Sequence, residues 1–166
     1  MNSFNVLFIM PRRKKRIYVD TSVVGGCHDE QFSGDSRALL ALAVQGRVTL
    51  LLSTIVIAEL AFAPAQVQAE ITKLPSSAVE EVPVTEEVFA LRDAYIAAGV
   101  VTAKWSDDAG HVAAASVARA DAIVSWNFKH IVQLDRIKGY NAVNRHLGYP
   151  DLVIVTPTVV THEQES

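Results

Sequence analysis

Asp20, Glu59, Asp108 and Asn127 are the side chains whose types and order along the chain point to shared chemistry. The hydroxyls of Thr21, Ser22 and Ser125 lie next to them in sequence, and the chain has no cluster of thiolates. Together these groups form a hard oxygen-donor set suited to Mg²⁺ or Mn²⁺. A divalent cation at carboxylates lowers the pKa of a bound water and neutralises a leaving oxygen, which is the chemistry of phosphoryl transfer and hydrolysis. Rival chemistries lack their signatures. The chain has no Gly-rich phosphate loop followed by Lys and Ser or Thr, no Gly-x-Ser-x-Gly elbow and no dinucleotide fingerprint.

The elements around these residues explain why they would meet. Arg16-Ile17-Tyr18-Val19 is a β-branched and aromatic run that delivers Asp20, Thr21 and Ser22 at its end. Val48-Thr49-Leu50-Leu51-Leu52 reads as a buried strand, and Ser53-Thr54 cap a helix over 55–63 that carries Glu59 among apolar neighbours. Ser106 and Asp107 start an alanine-rich helix with Asp108 in its first turn, and His111 shares a face with Asp108. Ala120-Asp121-Ala122-Ile123-Val124-Ser125-Trp126-Asn127 repeats the opening pattern, so Asn127 stands at its end much as Asp20 stands at the first, with the Ser125 hydroxyl before it. Strands alternating with helices predict an α/β fold in three layers, a central parallel sheet covered by helices on both faces. The C-terminal ends of such strands share one edge, where open α/β sheets place their ligands.

Each of these residues also has an ordinary reading. Asp20 is a favoured helix cap, Glu59 a helix-surface glutamate, and Ser106-Asp107-Asp108 a conventional helix start. Asp107 reads as an exposed cap or as an acid supporting the site. His111 reads as a packed or solvent-facing histidine, because no second histidine stands at metal-ligand spacing on its helix. Trp105 and Trp126 flank the proposed site and read as core packing or as surfaces relevant to that site. Elsewhere, Val82-Pro83-Val84 predicts a peripheral strand. Leu134, Ile137, Val143 and Leu147 predict the apolar side of a late helix, and Leu152 to Val155 a last strand.

The whole chain has 166 residues, half of them apolar and a fifth charged, which fits one globular domain. Its net charge of −3 provides no basic field of the kind many duplex-DNA binders carry, though an acidic metal cluster would contribute negative charge of its own. The lone Cys27 cannot form an internal disulfide, consistent with an expected cytoplasmic location. Residues 1–15 are expected to be a flexible basic leader, 16–158 the domain and 159–166 a polar tail. The leader is not a secretory signal, since its positive block follows its short apolar run. No segment reads as a membrane span.

Four motifs now carry a resemblance: Val19-Asp20-Thr21-Ser22, Ile57-Ala58-Glu59-Leu60, Asp108-Ala109-Gly110-His111-Val112-Ala113 and Ser125-Trp126-Asn127-Phe128-Lys129-His130. In this order the chain resembles PIN domains from Arg16 to Pro157, and most of all the small VapC-like toxins of toxin–antitoxin systems. The resemblance implies a metal-dependent endoribonuclease in which Asp20, Glu59 and Asp108 correspond to the acidic metal ligands. Ser125 then matches the hydroxyl before the fourth acid. It also implies RNA as substrate, Mg²⁺ or Mn²⁺ as cofactor, a homodimer and a cognate antitoxin. The departure is Asn127, where many members have Asp; an amide removes one negative charge and would weaken a second ion most. Two further readings remain open: a degenerate PIN domain that binds RNA or a protein without cutting, and an aspartate-phosphorylated α/β domain. The second lacks an acid two positions after Asp20 to act as general acid.

Overall fold

A computed structural model describes residues 13–164. Five parallel strands form one sheet in the order β3-β2-β1-β4-β5: β1 (Lys15–Val19), β2 (Val48–Ser53), β3 (Val79–Val82), β4 (Ala122–Val124) and β5 (Val153–Val155). The β-branched run of β1 is central, with Ile17, Tyr18 and Val19 at most 1% exposed because both faces of a parallel sheet are covered. Around it lie Leu50, Leu51, Ile123 and Val124, each fully buried aliphatic side chain contributing about 1.5–3 kcal/mol by its removal from water.

The helices are α1 (Thr21–Gly26), α2 (Ser33–Val44), α3 (Thr54–Leu60), α4 (Ala65–Thr72), α5 (Glu86–Ala97), α6 (Ser106–Val117), α7 (Leu134–His146) and α8 (Pro157–Gln164). The chain steps outward from β1 to β2 to β3, then returns past β1 to β4 and β5. Right-handed crossovers place the helices of the outward run on one face and those of the return on the other. Accordingly α1 packs against α4, while α5 packs against α6 and α7; α8, which follows the last strand and belongs to neither run of crossovers, packs on α2. The expected three-layer α/β architecture is the observed one.

Several local expectations are corrected. The sequence pair Gly25-Gly26 favours a flexible turn, but in the structure both residues complete α1, and a Cβ on Gly26 would lie 2.6 Å from Ser36 Oγ and 2.8 Å from Trp126 Nε1. Glycine is required there by close approach. The third strand is Val79–Val82 rather than 82–84, because Pro83 has no N–H for the ladder. Its exposed Glu80 and Glu81 keep this sheet edge charged, and Glu80 takes Arg16 of β1 in a bidentate pair at 2.7 and 3.0 Å. On α7, Leu134 and Leu147 are exposed. The buried face of that helix carries Tyr140, Asn141 and Asn144 instead. The Asn141 amide pairs with both backbone groups of Leu152 at 2.7 and 3.0 Å, and Asn144 accepts from Tyr95 OH at 2.5 Å. The tail expected from 159 is α8, held on α2 by buried Val160 and by Thr158 and Thr161 donating to Asp35. Residues 1–12 of the expected leader lie outside the described residues; Arg13 is paired with Asp121 and Lys15 begins β1.

Candidate active site

The strand order reverses at β1, with β2 on one side and β4 on the other. A crevice opens at the C-terminal ends of such neighbours, because their following connections leave toward opposite faces. Val19 and Val124 are paired in the ladder, so the next residues, Asp20 and Ser125, emerge side by side. Ser125 Oγ donates to Asp20 Oδ2 and Ser22 Oγ donates to Asp20 Oδ1, both at 2.6 Å. Asp20 is 4% exposed and makes no side-chain cap bond to α1. Its side chain is therefore not the cap that its position invites. Burial pushes its carboxyl pKa up, partly offset by the nearby His111 and the two hydroxyls.

Glu59 reaches the same edge from α3. Thr21 Oγ1 donates to its Oε2 at 2.6 Å, and His111 Nε2 meets its Oε1 at 2.9 Å. His111 is 3% exposed; its Nδ1 lies 2.8 Å from Tyr18 OH, which lies 2.6 Å from Ser53 Oγ. Ser53 in turn caps α3 by accepting from Val56 N. Burial opposes charge on the imidazole, but Glu59, Asp20 and Asp108 together outweigh it and raise its pKa. The same pair lowers the pKa of Glu59: burial works against ionisation, and the bonds to His111 and Thr21 prevail. An imidazolium donating from both nitrogens, to Glu59 and to Tyr18, with Tyr18 donating to Ser53, satisfies every polar atom of this chain of bonds.

Asp108, in the first turn of α6, is half-buried, and burial raises its pKa, with the Asp20 charge adding to the effect. His130, His111 and the Asn127 amide act in the other direction. Asn127 closes the arrangement. Its Oδ1 accepts from the backbone N–H of Lys129 at 3.2 Å and of His130 at 2.9 Å, and its own N–H donates to Ser125 Oγ at 2.9 Å. That oxygen has two donors already, so the geometry casts Asn127 as a brace for its loop. Asp107 is exposed and lines a neighbouring groove of about 470 Å³ with Ile55, Ala58, Glu59, Phe62 and Phe89.

Asp20, Glu59, Asp108, Thr21, Ser22, Ser125 and Asn127 are thus brought to one edge. Tyr18, Ser53 and His130 belong to the same network and carried no sequence signal as site residues; His111 was legible only as a packed histidine on an alanine-rich face. Among the described residues no three His, Cys, Asp or Glu groups stand close enough to form a ready-made metal cluster. The donor chemistry nevertheless fits a hard cation, since Mg²⁺ is commonly held by one or two carboxylates with water and substrate phosphate completing its shell. Asp20 and Asp108 are two carboxylates close enough for each charge to act on the other.

This sheet and its edge define a PIN-type α/β fold. A solved structure with the same fold is the VapBC2 complex of Rickettsia felis, crystallised with a DNA fragment from its promoter. One of its chains superposes with a TM-score of 0.53 at 15% identity, covering 84% of this chain and 96% of that one. No family model matches the sequence, and no curated protein matches it. Among the described residues no helix is long and apolar enough to cross a membrane.

Proposed function

We propose that the protein is a metal-dependent endoribonuclease, related in function as well as fold to VapC-like toxins. The observation that carries this reading is Asp20, a buried carboxylate at the switch point, clamped by two hydroxyls with Asp108 across the crevice. Keeping a carboxylate there costs desolvation, which an opposing cation would offset. Asp20 and Asp108 would hold Mg²⁺ or Mn²⁺. When bound, the cation would activate water and neutralise charge at the scissile phosphate. Ser22 and Ser125 fix the rotamer of Asp20, Asn127 braces its loop, and Glu59 with His111 sets the far wall. Glu59, which like Asp20 has one donor on each oxygen and a lone pair free on each, would reach the cation directly or through water.

The deciding experiment is cleavage of mixed cellular RNA with Mn²⁺ or Mg²⁺ and again with chelator, by wild type and by Asp20→Asn. Discrete cuts that need both metal and Asp20 support the reading. Equal cutting by an Asp20→Asn/Asp108→Asn double variant would sink it. The neutral Asn127, whose side-chain oxygen already accepts from two backbone N–H groups, favours one rival, a PIN-like module that binds RNA or protein without cutting. In that case Mn²⁺ titration shows no affinity dependent on Asp20.

A cognate antitoxin and a homodimer belong to the same proposal. The groove beside Glu59 offers Phe62, 94% exposed, and Phe89 as an apolar seat for such a partner.

A further inference from the structure

We propose that the loop 126–130, with Lys104 and Trp105, forms a cradle for single-stranded RNA, in which a base stacks on Phe128 and a neighbouring phosphate sits between Lys104 and Lys129. The proposal rests on RNA being the substrate.

Three observations carry it. First, Phe128 is half-exposed on top of a rigid aromatic wall. Trp126 and Phe32 stack at 4.4 Å between centroids with planes 17° apart, and Phe128 lies 6.3 Å from each. The wall is tied to the acidic edge: Trp126 Nε1 donates to Ser36, and Trp126 N donates to the same Ser22 Oγ that holds Asp20. Second, Lys104 and Lys129 place their ammonium groups 5.1 and 5.6 Å from the centroid of the Trp105 ring, itself stacked on buried His130 at 4.0 Å. Among the described residues neither ammonium has a carboxylate partner. Two like charges converge on one ring three residues before Asp108, and an anion between them would relieve their repulsion. Third, Asn127 bends the loop by capping the N–H groups of Lys129 and His130, fixing where Phe128 and Lys129 leave the backbone. Asparagine is suited to this position because its side-chain oxygen accepts from both loop N–H groups.

An exposed ring beside unpaired lysines is the chemistry of single-strand binding, where stacking supplies affinity without demanding one sequence. The splayed bases it needs are absent from a duplex. The Phe62 and Phe89 groove differs in that, among the described residues, the one cation over its rings, Arg92 at 4.8 Å from the Phe89 centroid, is already paired with Asp93.

The test uses the full chain in chelator, with a short fluorescent single-stranded RNA and the same sequence as a duplex, read by anisotropy across a salt series. Phe128→Ala should weaken single-strand binding roughly tenfold with the salt slope unchanged, and Phe128→Trp should restore it. Lys104→Gln and Lys129→Gln together should flatten the log–log salt slope by about 0.7 for each phosphate that the two lysines neutralise. Equal affinity of wild type and Phe128→Ala, tighter binding of the duplex, or no binding by wild type would overturn the cradle. A change in oligomeric mass caused by Phe128→Ala would assign the ring to a protein interface and overturn it too. The outcome is separable from the nuclease reading. Binding that needs Phe128 without any cleavage upholds the cradle and removes the nuclease. Metal-dependent cleavage with an unchanged KM in Phe128→Ala does the reverse.

Discussion

Asp20 follows β1 directly, is 4% exposed and has a neutral hydroxyl on each oxygen. Glu59 stands more than a turn into α3, is half-buried and has one oxygen on the His111 imidazole. Burial raises the pKa of the first, whereas His111 and Thr21 lower that of the second against burial. Asp20 feels His111 through space and has hydroxyls as its direct side-chain partners, whereas Glu59 bonds the imidazole itself. Burial prevails at Asp20 and leaves a cost that an external cation would offset, while at Glu59 the bonds to His111 and Thr21 prevail.

The largest effect that could break this comparison is on turnover. Asp20→Asn should lower RNA cleavage by on the order of 10³-fold, as expected for loss of a charge that acts on the reacting centre. In chelator the same variant should melt no lower than wild type, because an amide avoids the desolvation cost of the buried carboxylate. A lower melting temperature would mean that Asp20 is a structural acid. Glu59→Gln should be milder, roughly 10- to 100-fold in activity, the range for a group that positions its neighbours. If its loss equals that of Asp20→Asn, Glu59 is a direct ligand and the contrast fails.

Two smaller effects sharpen the picture. Tyr18→Phe removes the hydroxyl between His111 and Ser53 and leaves buried polar atoms without a partner, which should cost about 1–3 kcal/mol in urea unfolding. An unchanged midpoint would show that the Glu59–His111 pair stands without its support. Ser22→Ala removes one of two hydroxyls on Asp20 and the acceptor for Trp126 N, with an expected loss of about 1 kcal/mol. No measurable loss in the same unfolding assay would leave Ser125 as the sole clamp that matters.

Most of the site was legible in the chain, because a strand that ends in an acid obliges that acid to appear at the sheet edge. The alternation of strands and helices led to the architecture, and the same logic brought Ser125 and Asn127 beside Asp20. What escaped depended on partners distant in sequence. Asn141 and Asn144 look like surface residues beside Leu134 and Leu147, yet they are buried because Leu152, Tyr95 and Ser116 supply their hydrogen bonds. The polar segment after Pro157 becomes a helix because Asp35 and the apolar flank of α2 receive it.

The sequence by itself determined the periodicities, the strand ends and the chemical types collected there, since these follow from side-chain shape and from neighbours a few residues away. Only the tertiary structure decided what each acid became. Apart from Ser22, two residues from Asp20, the hydroxyls and the imidazole that meet these carboxylates come from residues about 40 to 105 positions away, and hydrogen bonds over such separations follow from packing rather than local preference.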